Sequence, residues 1–281
     1  MLKAPDGSTM FDMPTACYGS AVRTPYGILL PPGGKVAAFV RSTGAQNNDD
    51  SYIKGNQVAT LAAGLKRVRA GLGDTVVVLP GHTETVSDAT MLDELETGTS
   101  ILGVGRGSAM PTFTFAATAA QWTLDKADVV VSGLRLDLGG ANGVTKAIIC
   151  TAADNTIAGC DIIMATSSSL DAVIGIEAGA GSTRFALLGS YLRGSTDAVT
   201  DGVKIVSAVD GIEIGNCRMQ FAATEVNGLV HVTAAATNLW FHHNSFANIV
   251  ASSTACIVLD DVASTGLFEH QSYSTLNNGT V

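Results

Sequence analysis

Charge is scarce in this chain: Asp, Glu, Lys and Arg together make up 15% of its 281 residues. That is little for a surface wholly exposed to water, so part of the surface is expected to be covered by something else. Aromatic residues reach only 6%, which leaves few platforms for stacking sugars or bases. No run approaches the roughly 18 apolar residues that a membrane span needs, so no membrane partner is expected. Residues 1–8 lack the apolar stretch of a secretory signal, and the chain is expected to be made and folded in a cytoplasm. The five cysteines (Cys17, Cys150, Cys160, Cys217, Cys256) show no CxxC or CxxH spacing. That argues against a zinc site or a disulfide framework and marks them as reduced, core-filling thiols. A Gly-x-Ser-x-Gly elbow is missing as well, so no serine nucleophile is set up. No metal and no cofactor is expected.

What is present starts with an apolar content of 46%, enough for a sizeable core, and a formal net charge of −9. An acidic chain is a poor partner for nucleic acid. The charge is uneven. Residues 1–70 carry eight Lys/Arg against four acids, and residues 71–281 carry eight against 21. A basic head on an acidic body is one reading; the wet face of a helix bearing Lys66, Arg67 and Arg69 accounts for it more simply.

Along the chain, residues 1–50 are rich in turn chemistry and show no periodic pattern, as in an irregular arm that contacts a partner. Residues 51–72 hold one helical pattern, over 56–70: Val58, Leu61, Leu65 and Val68 share a face, Asn56 fits an N-cap and Gly71 a stop. Such a helix would cover the open end of a stack of strands. From 73 to 281 short β-branched strands recur, each ending in a turn. The turn anchors at 133, 159, 189, 215, 243 and 270 are spaced by 26, 30, 26, 28 and 27 residues. A second family of strands interleaves at the same period (147–150, 173–176, 203–206, 229–232, 256–259). Two families with one period mean that each period is one coil carrying at least two strands. The expected fold is all-β: a right-handed parallel β-helix of about seven coils, with an N-terminal irregular arm and a capping α-helix. Ser190, Asn216, Asn244 and Gln271 follow successive turns and are expected to stack as a polar ladder.

Several groups have the look of chemistry. Gly103, Gly105 and Gly107 resemble half a dinucleotide fingerprint, but no helix follows and they read as a coil turn. His82, Glu84 and Asp88 offer two metal ligands at most and read as exposed polar positions at a coil edge. His242 and His243 lie one period before His270, as a turn ladder would place them. Glycan hydrolysis needs two carboxylates about 5–10 Å apart; the candidates are Asp154, Asp161, Asp171, Asp197, Asp201 and Asp210. Trp240 is the best aromatic for a sugar platform within the coils, and Trp122 lies at their start.

The helix, the strand and turn over 73–82 and the coils that follow resemble the pectate-lyase-like β-helix superfamily, over residues 55–281. Within it, the chain is similar to the non-enzymatic β-helix proteins of tailed-phage virions. It lacks what the superfamily's enzymes show: a signal peptide, disulfides and a clustered acid–base site. No catalytic residue is therefore carried over. The resemblance implies a virion protein assembled in the host cytoplasm, a capsid decoration or cement protein and a homotrimer, bound to the major capsid protein or other virion proteins through its arm. Tyr18, Arg23, Tyr26, Phe39 and Arg41 are the expected partner contacts, chosen as aromatic and arginine anchors. A tail-spike-like polysaccharide depolymerase or a non-catalytic binder of host surface glycan is the alternative.

Overall fold

The structure, a computed structural model, describes residues 22–23, 29–30, 34–42, 56–141, 143–167, 170–194, 199–221, 227–248 and 256–275. They form a right-handed parallel β-solenoid of about seven turns, almost without helix. Each full turn places one strand in each of three sheets. The first sheet stacks Val36–Val40, Thr75–Val78, Ser100–Gly103, Val130–Ser132, Thr156–Ala158, Ala186–Leu188, Glu213–Gly215, Leu239–His242 and Gly266–Glu269. The second stacks Thr83–Val86, Thr112–Phe115, Arg135–Asp137, Asp161–Ser167, Tyr191–Gly194, Arg218–Phe221, Ser245–Asn248 and Ser272–Thr275. The third stacks Trp122–Leu124, Val144–Cys150, Leu170–Ala178, Asp201–Ile205, Gly228–Val232 and Ile257–Leu259. An antiparallel pairing of Ala165 with Asp171 joins the second sheet to the third within one turn.

Alternation of side chains along each strand explains the core. Val131, Ile157, Leu187, Ile214 and Phe241 point inward from the first sheet, and Leu136, Ile162, Leu192, Met219 and Phe246 from the second. Val203, Ile205, Val230 and Val232 do so from the third. All are buried, and each sits on its equivalent one turn away.

The corner between the first and second sheets is a single residue in the left-handed conformation: Gly133, Gly159, Gly189, Asn216, His243 and His270, with φ between 50° and 68°. Glycine takes that conformation freely. Asn and His tolerate it at a cost of about 1 kcal/mol, which the stacked turns above and below must outweigh. The fourth anchor thus falls on Asn216, one residue later than the spacing predicts. A second set of such corners, from the third sheet back to the first, uses Gly98, Asp128, Asp154, Arg184, Gly211 and Asn238.

The helix is shorter than expected. α1 spans only Leu61–Leu65, and its N-cap is Thr60, whose Oγ1 accepts from the Ala63 N–H at 3.2 Å. Asn56 and Val58 are drawn elsewhere: Gln57–Val58 adds to the edge of Val36–Val40, and the carbonyls of Asn56 and Val58 accept from Phe39 and Arg41. After Leu65 the backbone tightens, with Arg67 bonding to Gly64 and Val68 to Leu65. Asp74 then captures the Arg69 backbone, and Gly71 turns the chain at φ 68°. Most of the expected arm lies outside the described residues. Val36–Val40, read from the sequence as part of it, is a buried strand paired with Thr75–Val78.

Candidate functional site

Inward residues build the core of a solenoid, so any chemistry must come from outward residues, which stack in columns one turn apart. The densest such cluster lies on the second sheet. Arg135, Asp161, Tyr191 and Arg218 form one column, and Asp137, Ile163, Arg193 and Gln220 the next. Asp161 accepts from Arg135 Nε at 2.9 Å and from Arg193 Nε and Nη2 at 3.1 and 3.2 Å. The guanidinium carbons of Arg193 and Arg218 lie 5.7 and 5.0 Å from the Tyr191 ring centre. The Tyr191 hydroxyl donates to Gln220 Oε1 at 3.0 Å, and Arg218 Nη2 donates to the same oxygen at 2.9 Å.

The two carboxylates of this cluster diverge. Burial pushes the Asp161 carboxyl up, but its bonds to Arg193 and Arg135 outweigh that and hold it below the ordinary range. Burial pushes Asp137 up, and there it prevails over the Gly139 N–H and the nearby arginines. Asp137 and Asp161 are diagonal neighbours on one face, a spacing of about 7–8 Å. A carboxyl raised beside one that is lowered is the contrast that acid and base show in glycoside cleavage. In this pair, however, the lowered partner is clamped by two arginines.

The other acids singled out from the sequence are tied to the wall in the same way. Asp154 is bonded by Arg184, one turn on, which lowers its pKa. Asp210 accepts from Thr237 Oγ1 at 2.7 Å and Asn238 Nδ2 at 2.6 Å, and it too is lowered. Asp171 Oδ1 accepts from the Gly143 N–H at 3.1 Å, while its Oδ2 is buried without a partner among the described residues. Asp201 is enclosed. Its Oδ1 lies 2.6 Å from His231 Nδ1, and its Oδ2 accepts from Thr200 Oγ1 at 3.1 Å and pairs with Lys204 Nζ at 3.4 Å. The other nitrogen of His231 lies 2.8 Å from Asp260 Oδ2. One histidine therefore links three successive turns, and Asp260 occupies the place where a nucleophile would stand in a catalytic triad. Asp197 lies outside the described residues.

On the first sheet the His242 Nε2 is 2.9 Å from Glu213 Oε1, and its ring stacks on exposed Trp240 at 4.2 Å. Trp240 Nε1 donates to Glu269 Oε2 at 3.2 Å. His243 and His270 stack at 4.7 Å on successive corners, and the His242 and His243 Nδ1 atoms are 3.2 Å apart. Gly215 makes room for this. A Cβ there would meet His242 Nε2 at 2.2 Å. Gly215→Ala is expected to push the ring off Glu213 and cost about 1–3 kcal/mol, read as a lower urea midpoint and a changed His242 side-chain resonance.

Two readings of the sequence need correction here. His82 is fully buried, not an exposed coil edge. Its Nε2 lies 3.0 Å from Glu84 Oε2, which also accepts from the Leu61 N–H at 2.8 Å, so the pair clasps the start of α1. The ladder position in its turn belongs to Cys217, because Asn216 is the exposed corner residue before it. The ladder therefore runs through buried Cys160, Ser190, Cys217 and Asn244 to half-buried Gln271. Ser190 Oγ accepts from the Cys160 N–H at 3.2 Å, and Asn244 Oδ1 from the Cys217 N–H at 2.9 Å. Asn244 Nδ2 and Gln271 Nε2 donate back to Ile214 and Phe241 carbonyls at 2.8 and 2.6 Å. Burial pushes the Cys160 and Cys217 thiols up to about 11, which makes them inert. Cys150 and Cys256 are likewise free and raised.

Among the expected partner contacts, Phe39 is wholly buried against Val36, Val77 and Leu79, so it is no surface anchor. It alternates into an apolar layer on the outer face of the first sheet. Arg41 is half-buried at the end of that strand; Arg23 pairs with Leu29 in a two-residue ladder; Tyr18 and Tyr26 lie outside the described residues. Among the described residues no three His, Cys, Asp or Glu side chains are grouped to hold a metal ion. No family model, no curated protein and no solved structure matches this chain.

Proposed function

We propose that this chain is a structural β-solenoid of a tailed-phage virion, a capsid decoration or cement protein that acts by binding and not by catalysis. One observation carries the structural part: the outward acids are spent on bonds between successive turns. Asp154, Asp161, Asp201 and Asp210 each grip a neighbouring turn, which stiffens a rod and leaves little free acid for chemistry. Low surface charge and thiols with raised pKa fit the same role. The virion assignment rests on the resemblance of the coils. The partners are then the major capsid protein or other virion proteins, and the assembly is a homotrimer formed in the host cytoplasm. The purified chain is expected to weigh as a trimer and to co-sediment with capsids, and to lose capsid binding when residues 1–50 are deleted. A chain that ignores capsids overturns the proposal.

A glycan-directed reading is favoured by two observations, the raised Asp137 beside Asp161 and the exposed Trp240 in an open hollow of about 410 Å³. The two readings predict opposite outcomes for Asp137→Asn. A structural wall tolerates it within about 0.5 kcal/mol, with capsid binding unchanged. A depolymerase loses the thinning of bacterial polysaccharide by about 100-fold or more.

A further inference from the structure

The far end of the solenoid differs from the rest of its surface. Phe268, Tyr273 and Leu259 stack on Phe241, Phe246 and Val232 in the three inward columns. Those three neighbours are fully buried, yet Phe268, Tyr273 and Leu259 are 40%, 44% and 42% exposed. They have the position of core residues and the exposure of surface residues. The outward face of the same turns adds Trp240 and Leu267, paired in register and 43% and 54% exposed, and the loop between them and Leu259 adds Val262. Apart from Leu72, every exposed large apolar residue among the described residues lies here. Exposed apolar residues gathered at one end of an otherwise ordinary surface mark an interaction site.

Gly266–Glu269, Ile257–Leu259 and Ser272–Thr275 are also the edge strands of their sheets among the described residues. Edge strands offer backbone donors and acceptors to an added strand. The charge of the region completes the picture. Residues 219–281 contain Glu225, Asp260, Asp261 and Glu269 and no lysine or arginine at all. Asp260 is exposed, and the Glu269 carboxylate sits against the Trp240 indole inside the patch. A like copy of this surface would bring acid to acid.

We infer that this end is a docking surface for an extended polypeptide segment that alternates apolar residues with lysine or arginine. Its backbone adds to the free strand edges, its apolar side chains cover Leu259, Phe268 and Tyr273, and its cations meet Asp260, Asp261 and Glu269. This inference stands apart from the virion proposal, since it rests on the end of the rod and not on what the rest binds.

The test uses the full chain and two short fluorescent peptides, one alternating valine with lysine and one alternating valine with glutamate, in an anisotropy titration. The lysine peptide is expected to bind about tenfold or more tightly than the glutamate peptide, and to weaken as salt is raised. The double variant Val262→Lys, Leu267→Lys changes two exposed side chains, so its melting temperature is expected to stay put while its affinity for the lysine peptide falls about tenfold. Equal binding of both peptides, or undiminished binding by the double variant, overturns the inference. So does a dimer that the double variant dissolves, because the occupant is then a second copy. Binding that emerges only after residues 276–281 are removed also overturns it, because the chain then covers its own end.

Discussion

Asp74→Ala is expected to cost about 3 kcal/mol of unfolding free energy, at the lower end of what breaking a buried ion pair costs. The Asp74 carboxylate is enclosed at the start of the strand Thr75–Val78. It accepts from the backbone N–H groups of Lys35 and Arg69, both at 3.0 Å, and from Arg69 Nε and Nη2 at 2.8 and 2.6 Å. Alanine abandons all four donors at the point where the first sheet, the turn after α1 and the residue leading into Val36–Val40 meet. The cost stays at the lower end because the Arg69 guanidinium is half in water and rehydrates easily. Burial by itself would raise the Asp74 pKa, but the Arg69 side chain and the two backbone donors outweigh it and hold it below the ordinary value. A carboxyl lowered by folding stabilises fully above its unfolded pKa, near 3.9, and that contribution fades as pH falls through the folded value. Urea midpoints of wild type and variant should therefore differ at neutral pH and converge in acid. A gap that persists in acid would place the loss in packing instead of charge.

Asn155→Leu is expected to be as damaging or more so, at about 4 kcal/mol. Asn155 is fully buried, with Oδ1 accepting from the Val129 N–H at 2.9 Å and Nδ2 donating to the Leu124 and Ala152 carbonyls at 3.2 and 3.1 Å. Leucine fits the volume and is right for the neighbours, because Val129, Phe185 and Ile212 hold the same place in adjoining turns. It still leaves the Val129 N–H and the Ala152 carbonyl without the amide in an apolar interior, while the Leu124 carbonyl keeps the Thr151 N–H. The control is Ile212→Val in the same column, where only one methylene is lost and about 1 kcal/mol is expected. If chemical denaturation shows both variants falling equally, the amide is not what holds that corner.

Asn155 shows why some of this structure was legible in the sequence and some was not. The coil period was readable because inward alternation repeats in every turn, and a signal present six or seven times survives errors in any one copy. The amide of Asn155 occurs once, between the apolar Val129 and Phe185 of the adjoining turns, so no repetition points to it. The sequence alone puts Asn216 one rung out, because Gly215 just before it looks like the corner. In fact the glycine accommodates the His242 ring and the asparagine makes the turn. The spacing of Val58 to Leu61 and Leu65 suits a helix, but the edge of Val36–Val40 has the stronger claim on its backbone. Asp137 gives no signal in the sequence, because Arg135–Asp137 is too short to show alternation. Asp161 stands out by residue type, but its two arginine partners lie 26 and 32 positions away in sequence.

The repeating corner also shapes how the chain reaches its fold. Because each strand pairs with its equivalent a single coil away, every new layer closes a loop of nearly the same size, however long the rod becomes. The entropy of closure is thus met in equal instalments, and ordering can proceed like a zipper in which each finished layer is the template for the next. The same arithmetic runs backward. Opening starts where a layer has, among the described residues, a neighbour on one side only, so amide exchange should be faster in residues 257–275 than toward the middle of the stack, whatever the global stability of the chain.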